Sequence, residues 1–91
     1  MIGKYFIVHI IRNPWLNLSS VTEKINLARD WYRISETLWV IYTTSNQEKW
    51  MERLAPLVKP SGNVFICEAN PTIRQGIMPK AFWDWLRKEK K

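Results

Sequence analysis

The run Lys4–Ile11 is apolar on both of its alternating sets. Phe6, Val8 and Ile10 form one set, and Tyr5, Ile7, His9 and Ile11 form the other. Successive side chains of a strand point to opposite faces, so a run of this kind reads as a central strand covered on both sides. Trp31–Thr44 divides into a short strand, a tight turn at Ser35-Glu36 and a longer second strand. Leu38, Val40 and Tyr42 alternate there with Trp39, Ile41 and Thr43, and again neither face is plainly polar. Val64–Ala69 supplies a last strand, closed by Asn70-Pro71.

Helical spacing fills the intervals. Arg12–Leu18 reads as a loop with Asn13-Pro14 as its turn signal. Ser20-Val-Thr-Glu23 fits a capping box, and Val21, Ile25 and Ala28 recur at helical spacing behind it. Ser45-Asn-Gln-Glu48 fits a second box, followed by a buried stripe of Trp50 or Met51, Leu54, and Leu57 or Val58. Pro56 should kink or end that helix, because proline lacks an amide donor and clashes with the preceding turn. Lys59–Asn63 is a turn, and Thr72–Met78 is irregular or a short edge strand. Pro79 suits the first position of a C-terminal helix with an apolar face of Ala81, Phe82, Trp85 and Leu86. Residues 87–91 form a basic frayed end.

The order βαββαβ predicts an α+β, ferredoxin-like fold: a four-stranded antiparallel sheet with an added C-terminal helix, in one domain over residues 1–91. Right-handed crossovers place the first two helices on one face and the first and third strands in the middle. The other face stays apolar, which is unusual for a monomer and asks for a cover. A second copy of the chain, the C-terminal segment or stacked bases would each supply one. A homodimer through the sheet face is the favoured expectation.

Charge then narrows the partners. Fourteen Lys and Arg against eight Asp and Glu give +6, which favours polyanions such as nucleic acid through counterion release. The candidate phosphate contacts are Arg12, Arg29, Arg33, Arg74, Lys80, Arg87 and Lys88. Trp15, Trp31 and Trp83 are candidate aromatic contacts, since indoles interleaved with arginine can stack bases. Trp39, Trp50 and Trp85 pattern as core or interface. The single cysteine, Cys67, reads as a buried structural thiol and fits a reducing, cytoplasmic setting. His9, Cys67, Glu68 and Asp84 have no partners at metal-ligand or catalytic spacing, and the three glycines form no phosphate loop. No metal, cofactor or catalytic residue is expected. The first apolar run is too short and too interrupted for a signal peptide, and no segment reaches the roughly 18 apolar residues of a membrane span.

The segment Ala28–Leu57, ARDWYRISETLWVIYTTSNQEKWMERLAPL, resembles the SinR-like family of small proteins. That family is related to the CRISPR adaptation protein that scaffolds spacer integration and to VapD-type ribonuclease toxins. The resemblance rests on a Trp-bearing short strand, the Glu36-Thr37-Leu38-Trp39 strand and a polar-capped second helix. It implies a ferredoxin-like fold that dimerises through its sheets. Some members are metal-dependent nucleases whose key acid is an Asp at the end of the first strand. Setting Pro14 against the turn proline of that pattern puts Ile10 at the position of the acid, and the first acid of this chain is Glu23. Isoleucine neither holds Mg2+ nor activates water, so nuclease activity does not carry over. The expectation is a non-catalytic, dimeric binding protein that contacts nucleic-acid phosphates. The alternative is a protein-interaction module, such as a small inhibitor or adaptor from a mobile genetic element. A residual metal-dependent ribonuclease using Glu36 or Glu68 is the third reading.

Overall fold

The computed structural model describes residues 2–90. Its elements are β1 (Lys4–Ile11), α1 (Leu18–Ile25), β2 (Asp30–Arg33), β3 (Leu38–Thr43), α2 (Gln47–Val58), β4 (Asn63–Ala69) and α3 (Lys80–Arg87). The strands form one antiparallel sheet in the order β2-β3-β1-β4. The chain is thus α+β, with β1 and β3 central and β2 and β4 at the edges.

One face of the sheet carries the main core. Phe6, Val8 and Ile10 of β1 and Trp39 and Ile41 of β3 pack under Val21 and Ile25 of α1 and Trp50, Leu54, Leu57 and Val58 of α2. Register explains the selection: Val8 stands opposite Trp39 on one side and Ile66 on the other. Trp50 is wholly enclosed, and its indole N–H donates to Thr43 Oγ1 at 3.1 Å, so the buried donor is satisfied.

Both predicted capping boxes are displaced. α1 starts at Leu18, with Asn17 at its N-cap, because Leu18 packs against the core. Ser20 and Glu23 therefore lie inside the helix rather than at its start. α2 is capped by Asn46, whose Oδ1 accepts the Lys49 amide at 2.9 Å. Ser45 is occupied elsewhere, its amide donating to Thr43 Oγ1 and its hydroxyl accepting from Arg53. Pro56 does not end α2, which runs two residues further. Leu57 and Val58 are buried in the core and carry the helix past the missing amide.

The second face is half covered from within. Phe82 and Leu86 of α3 are buried against Val40, with Tyr5 and Tyr32 packed alongside. Tyr32 meets Phe82 edge-on at 5.2 Å and Tyr5 meets Trp85 at 6.2 Å. This internal cover lies toward β2 and β3. Toward β4 the face stays bare, with Ile7, Ile11 and Phe65 exposed. The surface that motivated a sheet-face dimer is thereby reduced to that strip. Cys67 shares it: the register sets Cys67 opposite Ile7, beyond the reach of α3, so the thiol is exposed and not buried as its strand context suggested.

The basic end is also more ordered than expected. Arg87 belongs to α3, and the Lys90 ammonium lies 4.3 Å over the Trp85 ring while donating to the Trp85 carbonyl. Lys91 lies outside the described residues. Residues 70–79 form an irregular crossing with no strand.

Candidate functional site

The end of the sheet where β1 finishes is built by two connections locked together. Asn13, only 1% exposed, is the lock. Its Nδ2 donates to the Lys59 carbonyl at 2.7 Å, its Oδ1 accepts the Ser61 amide at 3.0 Å, and its own amide donates to the Leu57 carbonyl at 2.8 Å. The β1–α1 loop is thereby clamped to the α2–β4 turn. A buried amide with all three polar functions paired is a fixed point in the fold.

From that anchor the loop presents its chemistry outward. Arg12 Nε donates to the Leu16 carbonyl at 2.8 Å, and the Leu16 amide donates to the Asn13 carbonyl at 3.0 Å. Trp15 sits between these bonds and is 65% exposed. Lys59, on the clamped turn, is exposed as well. Neither residues 12–17 nor residues 59–63 contain an acid. Two cations and an open indole therefore share one rim with no carboxylate in either segment.

The other candidates do not gather there. Arg33 reaches the same end of the sheet, but its Nε and Nη2 donate to the Ser35 and Glu36 carbonyls, and its guanidinium lies 5.0 Å from the Trp39 ring centre. It holds the hairpin turn. Lys80 and Arg87 pair with Asp84 at 2.9 and 2.8 Å. Lys88 pairs with Asp30 at 3.6 Å, at the opposite end of the sheet beside exposed Arg29. Arg74 donates to the Pro71 carbonyl at 2.9 Å. Trp31 is half-buried, with its N–H on Asn26 Oδ1 at 2.9 Å, and Trp83 packs on Phe82. Of the ten residues singled out in the sequence, the structure joins Arg12 and Trp15 at one rim. It adds Lys59, which only a contact 46 residues away in sequence brings there.

The opposite end is a latch for α3. Burial works against the Asp30 charge, but the Trp85 indole N–H, the Trp31 amide and the Lys88 and Lys90 ammonium groups outweigh it, and the carboxyl titrates below its ordinary range. The indole contributes only a weak polar contact, since its N–H has no partner at full hydrogen-bonding geometry. Burial in turn pushes Lys90 below the usual lysine range, against the pull of Asp30.

A second feature is an apolar groove of about 410 Å3 between the bare sheet face, residues 70–78 and α3. Tyr5, Ile7, Val40, Met78 and Phe82 line it, and Ile77 stands fully exposed at its rim.

The residues do not fit the metal centre of the nuclease members of the resembled family. Ile10 is 3% exposed and turned into the core beneath the helices. Among the described residues no three His, Cys, Asp or Glu side chains converge. No protein-family model, curated protein or solved structure matches the chain.

Proposed function

We propose that this chain is a non-catalytic binding domain of ferredoxin-like architecture that holds nucleic acid by its phosphates. The contact lies at the rim formed by Arg12 and Lys59. The observation that carries the reading is the pair of acid-free segments, 12–17 and 59–63, joined by the buried Asn13 on a chain of charge +6. The strand order, with α1 and α2 on one face, supports the ferredoxin-like assignment. The resemblance of Ala28–Leu57 to the SinR-like family supports a nucleic-acid-handling lineage. Ile10, buried where that family's nucleases carry an acid, supports binding without cleavage.

Fluorescence anisotropy with labelled oligonucleotides tests the reading. Affinity should fall steeply with salt, because each neutralised phosphate adds roughly 0.7 to 0.9 to the log–log slope. Replacing Arg12 and Lys59 together by Gln should weaken binding and flatten that slope by about 1.5. Absent binding at low salt, or binding indifferent to salt, refutes it.

A second reading is favoured by one observation, the uncharged strip of Ile7, Ile11 and Phe65 beside the groove. It makes the chain an interaction module whose partner there is a second copy of itself. The apolar side chains of the strip would be buried in such a contact. Light scattering at twice the chain mass of 10.9 kDa supports this reading, and a monomer at high concentration removes it.

A further inference from the structure

We infer that the Arg12–Asn17 loop is a site for single-stranded nucleic acid, in which one unpaired base stacks on Trp15 while Arg12 and Lys59 hold the neighbouring phosphates. The inference rests on the phosphate-binding reading above and narrows it to one class of nucleic acid.

Three features of the loop carry it. First, Trp15 does no packing that accounts for it. Trp39 and Trp50 fill the core, Trp85 of α3 packs on Tyr5 and Tyr32 and Trp83 on Phe82, and Trp31 is hydrogen-bonded and half-buried. Trp15 alone among the six is mostly exposed. Second, the indole is carried on a closed loop. The Arg12 Nε bond to the Leu16 carbonyl spans it, the Leu16 amide returns to Asn13, and Asn13 is anchored in the interior. An aromatic platform presented this way loses little freedom when a ligand arrives, so more of the stacking free energy appears as affinity. Third, the cations lie on the two connections that Asn13 joins. Arg12 spends its Nε inside the loop, which leaves both terminal nitrogens of the guanidinium for a phosphate, and also fixes the plane of the group. Lys59 is tied to the base of the same loop through its carbonyl.

The pairing of an open indole with adjacent cations selects unpaired bases. In a duplex the faces of the bases are occupied by their neighbours in the stack, so an indole reaches only edges and backbone. A single strand offers a free face at every nucleotide, and stacking of this kind tolerates any base.

Anisotropy at fixed low salt with oligothymidylate, oligouridylate, an abasic single strand and a blunt duplex tests the inference. The wild type should bind the two base-bearing single strands more tightly than the abasic strand or the duplex. Trp15→Ala should weaken the base-bearing strands about 10-fold or more, leave the abasic strand and the duplex unchanged, and keep the salt slope. Trp15→Phe should recover most of the loss. Because the indole lies outside the core, an unchanged urea midpoint confirms that the variants fold. Equal affinity of Trp15→Ala and wild type for oligothymidylate, with the salt slope intact, overturns the stacking site and leaves the phosphate reading standing. Failure of every probe to bind at low salt overturns both.

Discussion

Replacing Asn13 by Ala should destabilise the protein by about 2–3 kcal/mol. The side chain is almost wholly buried and makes two hydrogen bonds to backbone groups of the α2–β4 turn. Truncation leaves the Lys59 carbonyl and the Ser61 amide without partners, at roughly 1–3 kcal/mol for each group that stays buried. Both residues lie at the surface, so water recovers part of the loss and the lower figure of about 1 kcal/mol applies to each. The space vacated by the carboxamide is enclosed, and a small unfilled cavity adds about 1 kcal/mol. For a domain whose whole stability is about 5–15 kcal/mol this is a large fraction. It corresponds to a fall in Tm of roughly 10–20 °C. Urea unfolding followed by tryptophan fluorescence measures it, with the midpoint reduced and the slope unchanged. Asn13→Asp separates the two bonds. It keeps an acceptor for Ser61 but sets a carboxylate against the Lys59 carbonyl, so it should be at least as destabilising as Ala at neutral pH. A loss below about 0.5 kcal/mol for Asn13→Ala would refute the clamp and, with it, the rigidity of the loop that carries Trp15.

Gly62→Ala should cost several kcal/mol, since any Cβ there overlaps the carbonyl oxygen of Ile11, a backbone atom that cannot rotate aside; the urea midpoint reads it. Asp30 titrates below its unfolded value near 3.9, so its contribution is present above about pH 4 and fades as the pH falls through the lower folded value. Asp30→Asn should therefore flatten the acid limb of stability against pH, and an unaltered limb counts against the latch to Lys88. Ending the chain at residue 79 should bare Tyr5, Tyr32 and Val40; strong dye binding and self-association by light scattering are the expected readouts, while a monomer with no exposed apolar face argues that α3 is not the cover.

The strands and their order were legible because the alternating apolar sets of Lys4–Ile11, Trp31–Thr44 and Val64–Ala69 leave few other arrangements. What misled at the helix starts was local rule against tertiary packing. Leu18 draws the start of α1 three residues ahead of its Ser20 box, and a single side-chain acceptor on Asn46 replaces the box at Ser45. Cys67 reads as buried because its strand is apolar, but α3 covers the second face only toward β2 and β3, and the register puts Cys67 on the uncovered part of that face. The site was half legible. Arg12 and Trp15 are visible in sequence as a cation and an indole in one loop, whereas Lys59 joins them only through the Asn13 clamp, and Asn13 itself reads in sequence as an ordinary turn residue.

The distribution of charge explains why the net value pointed to a partner class without pointing to a place. Lys80, Arg87 and Lys88 neutralise Asp84 and Asp30 within the fold, and Arg33 spends its donors on a hairpin turn. These groups still contribute to the long-range field that steers a polyanion inward, because a field sums over all charges regardless of pairing. They contribute far less to a tight contact, since a phosphate would first have to displace a carboxylate or a carbonyl. Arg12 and Lys59 differ in making no ion pair among the described residues and in lying on the two connections that carry the largely open Trp15. Charge reversal at Lys88 should therefore slow association and leave the lifetime of the complex nearly unchanged. Charge reversal at Arg12 should shorten that lifetime, and equal effects on both rates from the two positions would dissolve the distinction between steering and holding.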